Sequence, residues 1–208
     1  MLHGGNTALH IAVKRQMKDE VGYIIGRKPQ INKKSDRLST PLHEAVKCER
    51  DITQILLDNG ADIEARDRTG QTPLHWALGY TNSLDQVRTL IINSADVDSM
   101  DEYARTPLHT LCSKGLRINF DTFELLLQKV SDINAGDMNG ASPLHKLMRF
   151  LQVDSESEKE KLIDLFLQYG VNLNEQDHFS DSVPDKERRR YIHSEWIGRN
   201  IHKLYDSE

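Results

Sequence analysis

Apolar residues recur along this chain in short runs at helical spacing, separated by polar turns, and no run approaches the roughly 18 apolar residues that a membrane span needs. "DITQILLDNG" supplies an apolar face from Ile55, Leu56 and Leu57 and ends at Gly60, where a helix would close in the left-handed conformation. "LDQVRTLIINS" does the same with Val87, Leu90 and Ile91, a face to lay against a neighbour. Ahead of it stands "TPLHWALGY". Thr72 is a good N-cap and Pro73 suits a first turn that has no use for its missing N–H, so a first helix is predicted through "PLHWALGY". Polar stretches such as "ADVDSMDEYAR" are predicted to turn the chain outward between helix pairs.

One phrase opens every pair. It reads "TALH" at Thr7, "TPLH" at Thr40, Thr72 and Thr106, and "SPLH" at Ser142, at intervals of 33, 32, 34 and 36 residues. A period near 33 belongs to a repeat architecture, not to the irregular spacing of a catalytic constellation. It also governs His10, His43, His75, His109 and His145. At one per unit they should line an edge of the stack about 10 Å apart, too far to share one metal ion.

The phrases "TPLHEAV", "ILLDNGADIEARDRTGQTPLH" and "VSDINAGDMNGASPLH" resemble the ankyrin repeat. The resemblance covers Thr7 to about Asp177 and implies an all-α solenoid of stacked helix-turn-helix units with outward β-turn fingers. The units fall at about 1–34, 35–66, 67–100, 101–136 and 137–176, followed by an atypical capping segment at 177–208. The resemblance also assigns the threonine and histidine of each phrase to hydrogen bonds between neighbouring turns. In that family the asparagine leaving the second helix can be a substrate of an asparaginyl hydroxylase; Asn134 matches that position and Asn174 matches it less well.

Three irregularities stand out. The fourth unit lengthens its helix connection with "GLRINFD". The fifth inserts "LQVDSESEKEK" before "LIDLFLQYG", expected as a surface loop, with a contact or phosphorylation role as the alternative to a tolerated insertion at Asp154 to Lys161. The first carries "GRKPQINKKSD" where others have an "NGAD"-like run, and its phrase arrives at Thr7 with almost no preceding segment, leaving a trimmed longer parent open.

Composition narrows function. Aromatics are 6% of the residues, too few for a bulky core but enough for thin layers between stacked units. A formal net charge of -5 disfavours general nucleic-acid binding. Two cysteines, Cys48 (expected exposed) and Cys112 (expected among packing residues), form no zinc or disulfide pattern and suit an intracellular setting. No phosphate-cradling glycine loop, HExxH, GxSxG or paired-carboxylate spacing appears, so no enzyme, cofactor, metal or small-molecule substrate is expected. The run "KERRR" at Lys186 to Arg190 reads as a solvated cap helix or as a nuclear-localisation patch, so the cytoplasm is expected and the nucleus stays open.

The residues that the repeat does not dictate are the candidates for function. On the fingers these are Arg68, Thr69, Gln71, Glu102, Tyr103, Arg105, Met138 and Asn139; from the adjoining helices come Trp76, Tyr80, Lys114, Arg149 and Phe150. Aromatic, Met and Arg side chains are enriched at binding hot spots. A packing explanation stands beside this one: Trp76 covered by Tyr103, Phe150 beneath the insertion. The expectation is a monomeric, noncatalytic module that binds another protein as adaptor, scaffold or competitive inhibitor through a concave surface. Its alternatives are a pathogen or host-range effector in the host cell, resembling inhibitors of NF-κB-type factors, and the targeting part of a larger enzyme.

Overall fold

The computed structural model describes residues 4–48, 50–81, 83–113, 119–150, 156–173 and 177. The described helices come in pairs: α1 (Ala8–Lys14) with α2 (Lys18–Ile25), α3 (Pro41–Ala45) with α4 (Arg50–Asp58), α5 (Pro73–Trp76) with α6 (Leu84–Ile92), α7 (Pro107–Cys112) with α8 (Phe120–Leu127), and α9 (Pro143–Phe150) with α10 (Glu156–Gln168). First helices pack on first helices, α1 on α3, α3 on α5, α5 on α7 and α7 on α9; second helices form a parallel row from α2 through α10. No strand occurs among the described residues. The architecture is the expected all-α solenoid.

Thr40, Thr72 and Thr106 sit at the N-cap in extended backbone with proline in the first turn behind them, as the phrase requires. Apolar residues of the two rows fill thin layers. One cluster gathers Leu9, Val13, Val21, Leu42, Ile52 and Leu56, and a second runs from Val46 through Leu74, Leu90, Leu108 and Leu126 to Phe166. Gly60 takes the expected left-handed conformation at the end of α4.

Two elements depart from expectation. The helix read through "PLHWALGY" is α-helical only to Trp76; Ala77–Thr81 widen into a π turn. Glu156–Lys161, expected in a loop, are the opening turns of the 13-residue α10. Glutamate and lysine are good helix formers, so the acidic run extends the helix in place of interrupting the unit. Residues 151–155, most of the "GLRINFD" connection, Asn174 and the 178–208 segment lie outside the described residues.

Candidate functional site

Between the helix pairs the chain makes β-turn fingers, each closed by its own backbone bond: Ser35 N–H to Ser39 O, Asp67 to Gln71, Asp101 to Arg105, and Asp137 to Ala141, at 2.9–3.0 Å. The left-handed position of each turn is held by Leu38, Gly70, Ala104 or Gly140. Neighbouring fingers are tied tip to tip: Asp36 N–H donates to Gly4 O, Arg68 to Arg37 O, Glu102 to Thr69 O and Met138 to Tyr103 O, each at 3.0 Å.

The phrase histidines join this frame to the first helices. In each phrase the Thr or Ser backbone N–H donates to the histidine Nδ1 at 3.1–3.2 Å. Nδ1 is therefore a lone-pair acceptor, and Nε2 carries the proton. It donates to a carbonyl of the next finger, from His10 to Ser39, His43 to Gln71, His75 to Arg105 and His109 to Ala141, at 2.9–3.1 Å. Burial drives these four imidazoles below their ordinary value, with the carbonyl bonds offsetting part of that effect. They are neutral staples. Among the described residues no three His, Cys, Asp or Glu side chains converge as metal ligands.

Three fingers contain an aspartate that works with both oxygens. Asp67 Oδ1 accepts from Thr69 N–H, Thr69 Oγ1 and Gln71 N–H, and its Oδ2 accepts the Trp76 indole N–H at 2.8 Å. Asp101 Oδ1 accepts from Tyr103 and Arg105 N–H, and Oδ2 takes the Arg105 guanidinium at 2.7 Å. Asp137 accepts from Asn139 and Ala141 N–H and pairs with Lys146. Burial alone would raise these last two carboxyls; the Arg105 or Lys146 side chain and the turn N–H groups override it and hold both below the usual carboxylate range.

This assigns structural work to several residues expected to meet a partner. Trp76 is 6% exposed, so it is an interior side chain. It is covered not by Tyr103 but by His43, Tyr80 and Lys47, whose Nζ lies 4.1 Å from the Trp76 ring centroid and 4.3 Å from that of Tyr80. Arg105 is half-buried on Asp101 and lies against the Tyr103 ring, while Thr69 and Gln71 close the second finger. Cys48 is half-buried, its Sγ directed at the carbonyls of Val13 and Glu44, and not exposed as expected. Burial raises the Cys112 thiol well above its ordinary value, so it is an inert packing residue.

The other candidates remain at the surface. Tyr80, Tyr103 and Met138 are 61%, 50% and 63% exposed. Arg68, Glu102 and Asn139 are exposed on the fingers, with the Arg68 guanidinium also donating to Asp36 O, and Arg149 and Phe150 are exposed at the end of α9. Lys114 lies outside the described residues. Asn134 is half-buried, and its Oδ1 accepts the Asn172 N–H at 2.8 Å, tying the fourth unit to the fifth. Lys14, Glu44 and Lys47 were missed by sequence reasoning. Their signal was available, because Lys14 and Lys47 each stand seven residues after the threonine of their phrase.

The stacked pairs, stapled fingers and repeated phrase define a repeat protein whose framework is spent on itself. The chain belongs to the ankyrin repeat family: the model for ankyrin repeats matches residues 2–67 and 74–177 in three copies. Proteins of this family generally mediate protein–protein interaction. Two fowlpox virus (strain NVSL) proteins are similar to parts of it. The ankyrin repeat protein FPV233 is 46% identical over 39 residues, 19% of this chain and 8% of that protein. The ankyrin repeat protein FPV031 is 38% identical over 84 residues, 38% of this chain and 25% of that protein. The chain thus spans a quarter or less of the length of these curated relatives. No described helix is long and apolar enough to cross a membrane.

Proposed function

We propose that the chain is a noncatalytic binding module that engages a partner protein through its fingers and the adjoining first helices. The observation that carries this reading is the position of Tyr80, Tyr103 and Met138: large side chains, half or more exposed, with Tyr103 and Met138 on fingers tied by backbone bonds and Tyr80 set against the buried Trp76 ring. Rigid presentation of aromatic and Met anchors reduces the ordering cost of binding. Arg68, Glu102 and Arg149 would select the partner by charge. The fowlpox relatives favour an effector that acts on a host-cell protein as adaptor, scaffold or competitive inhibitor, within a longer polypeptide. Asn134 is proposed as a hydroxylation substrate; an intact mass unchanged after incubation with an asparaginyl hydroxylase would remove that role.

Affinity capture from cell lysate, read by mass spectrometry, tests the binding face. The native chain is compared with a Tyr80→Ala, Tyr103→Ala, Met138→Ala variant whose fold is verified by circular dichroism. A partner captured by the native chain and lost by the folded variant supports the reading; a partner retained by both places binding elsewhere.

A further inference from the structure

Charge is segregated between the two helix rows. The described first helices and the turns closing them carry Lys14, Arg15, Lys47, Lys146 and Arg149 against one carboxylate, Glu44. The second helices α4, α6 and α8 carry Asp51, Asp58, Asp85, Asp121 and Glu124 against Arg50 and Arg88. In a chain of net charge -5 the basic row runs against the average, so its local field differs in sign from that of the whole.

Lys146 is paired with Asp137, so the excess gathers at the other end of the row. There Lys14 and Lys47 approach the two oxygens of Glu44 at 3.6 and 3.2 Å, and the Glu44 side chain is 7% exposed. Among the described residues the two ammonium groups share one buried carboxylate, which leaves a net positive charge, and exposed Arg15 follows Lys14 directly in the chain. Lys47 is ordered in advance. Its ammonium rests on the Trp76 and Tyr80 rings, and Trp76 is itself pinned by Asp67. A free surface lysine gives up rotamer freedom on binding, and this one has already given up most of it. Tyr80 offers an exposed apolar face alongside.

We propose that the corner formed by Lys14, Arg15 and Lys47, edged by Tyr80, docks an acidic segment of a partner protein. Glu44 shows the chemistry the corner accepts, a carboxylate between two ammonium groups, and the partner's carboxylates meet the outward side of the same cations. A short acidic segment fits within the corner, whereas a long nucleic-acid polyanion would extend past it into the field of the acidic second helices. The inference rests on the finger and first-helix face being the binding face and adds the partner's chemistry.

Fluorescence anisotropy of fluorescein-labelled octaglutamate, titrated with the full chain at low ionic strength, tests it. Octaglutamine and a single-stranded DNA octamer serve as comparisons. Saturable binding of octaglutamate, absent for octaglutamine and weakening with salt, is expected. Lys14→Glu with Arg15→Glu, both exposed, should weaken it by about tenfold or more, and Lys129→Glu, an exposed lysine beyond α8, by less than about twofold. Trp76 emission, isolated by Trp196→Phe, should change on binding because Lys47 lies over the indole. Absence of saturable binding, or equal loss in Lys129→Glu, would overturn the proposal. Tighter binding of the DNA through the same residues would overturn it too, reassigning the corner to nucleic acid. Should octaglutamate fail while the Tyr80, Tyr103 and Met138 variant still loses its captured partner, the binding face stands and only the acidic chemistry falls.

Discussion

The first finger and the three after it make the same turn with different chemistry. Ser35 closes its finger with a hydroxyl that meets Ser39 Oγ and receives the Arg37 N–H. Asp67, Asp101 and Asp137 close theirs with one oxygen and use the second to hold Trp76, Arg105 or Lys146. The Ser35 hydroxyl reaches a side chain inside its own turn, whereas the second oxygen of Asp67 or Asp137 holds one beyond it. The second and fourth fingers are therefore coupled to α5 and α9, through Trp76 and Lys146, by a bond the first one lacks.

Removing the carboxylate should erase that difference at the greatest cost. Asp67→Ala strands two backbone N–H groups, a hydroxyl and the buried indole N–H, and is expected to lose about 3 kcal/mol in urea unfolding. Asp67→Ser, which copies the first finger, should lose about half of that, and Ser35→Ala about 1 kcal/mol. An equal loss at Asp67 and Ser35 would deny the second oxygen its role.

Gly70→Ala is the next largest. At φ +75° a β-carbon costs about 1–2 kcal/mol in the left-handed region, and here it would also lie 2.8 Å from the Glu102 backbone N, so about 2 kcal/mol or more should be lost. Acid separates the finger types in a different way. The four histidines have folded values below their ordinary 6.5, so the unfolded chain takes up protons first as pH falls. Their contribution is complete above 6.5 and declines below it toward the folded values, in every finger alike. Asp101 and Asp137 are held below 3.8, so their contribution is complete above that and is lost as pH falls through the lower folded values. Urea midpoints should therefore fall in two steps, and Asp101→Asn should diminish the second while removing a charge that holds His75 and His109 up in the first. The smallest effect is a gain: Ala104→Gly relieves a left-handed non-glycine at φ 55° and should add up to about 1 kcal/mol.

The helix starts were legible because Thr and Pro act locally, through the cap and first turn of their own helix. The staples were expected from the resemblance to the ankyrin repeat, because each Nε2 bond crosses to a carbonyl of the next finger and is not local to its phrase. Trp76 was not legible, because its cover comes from Asp67 in its own finger and Lys47 in the preceding unit, and aligning units gives a residue's place without saying which neighbour closes over it. The same gap hid the Lys14, Glu44 and Lys47 corner, whose meaning depends on two units being stacked. The opening of α10 was misread for a different reason: period-matching treats any excess residues as loop, whereas "ESEKEK" has the propensity to lengthen a helix.

Site-specific photo-crosslinking distinguishes the two faces, with a photoreactive phenylalanine analogue placed either at Tyr103 on the third finger or at Ile92, also exposed, on the second-helix row. A partner crosslinked from position 103 and not from 92 is the predicted result. A partner captured from 92 and not from 103 would contradict the account and move the binding surface to the opposite row.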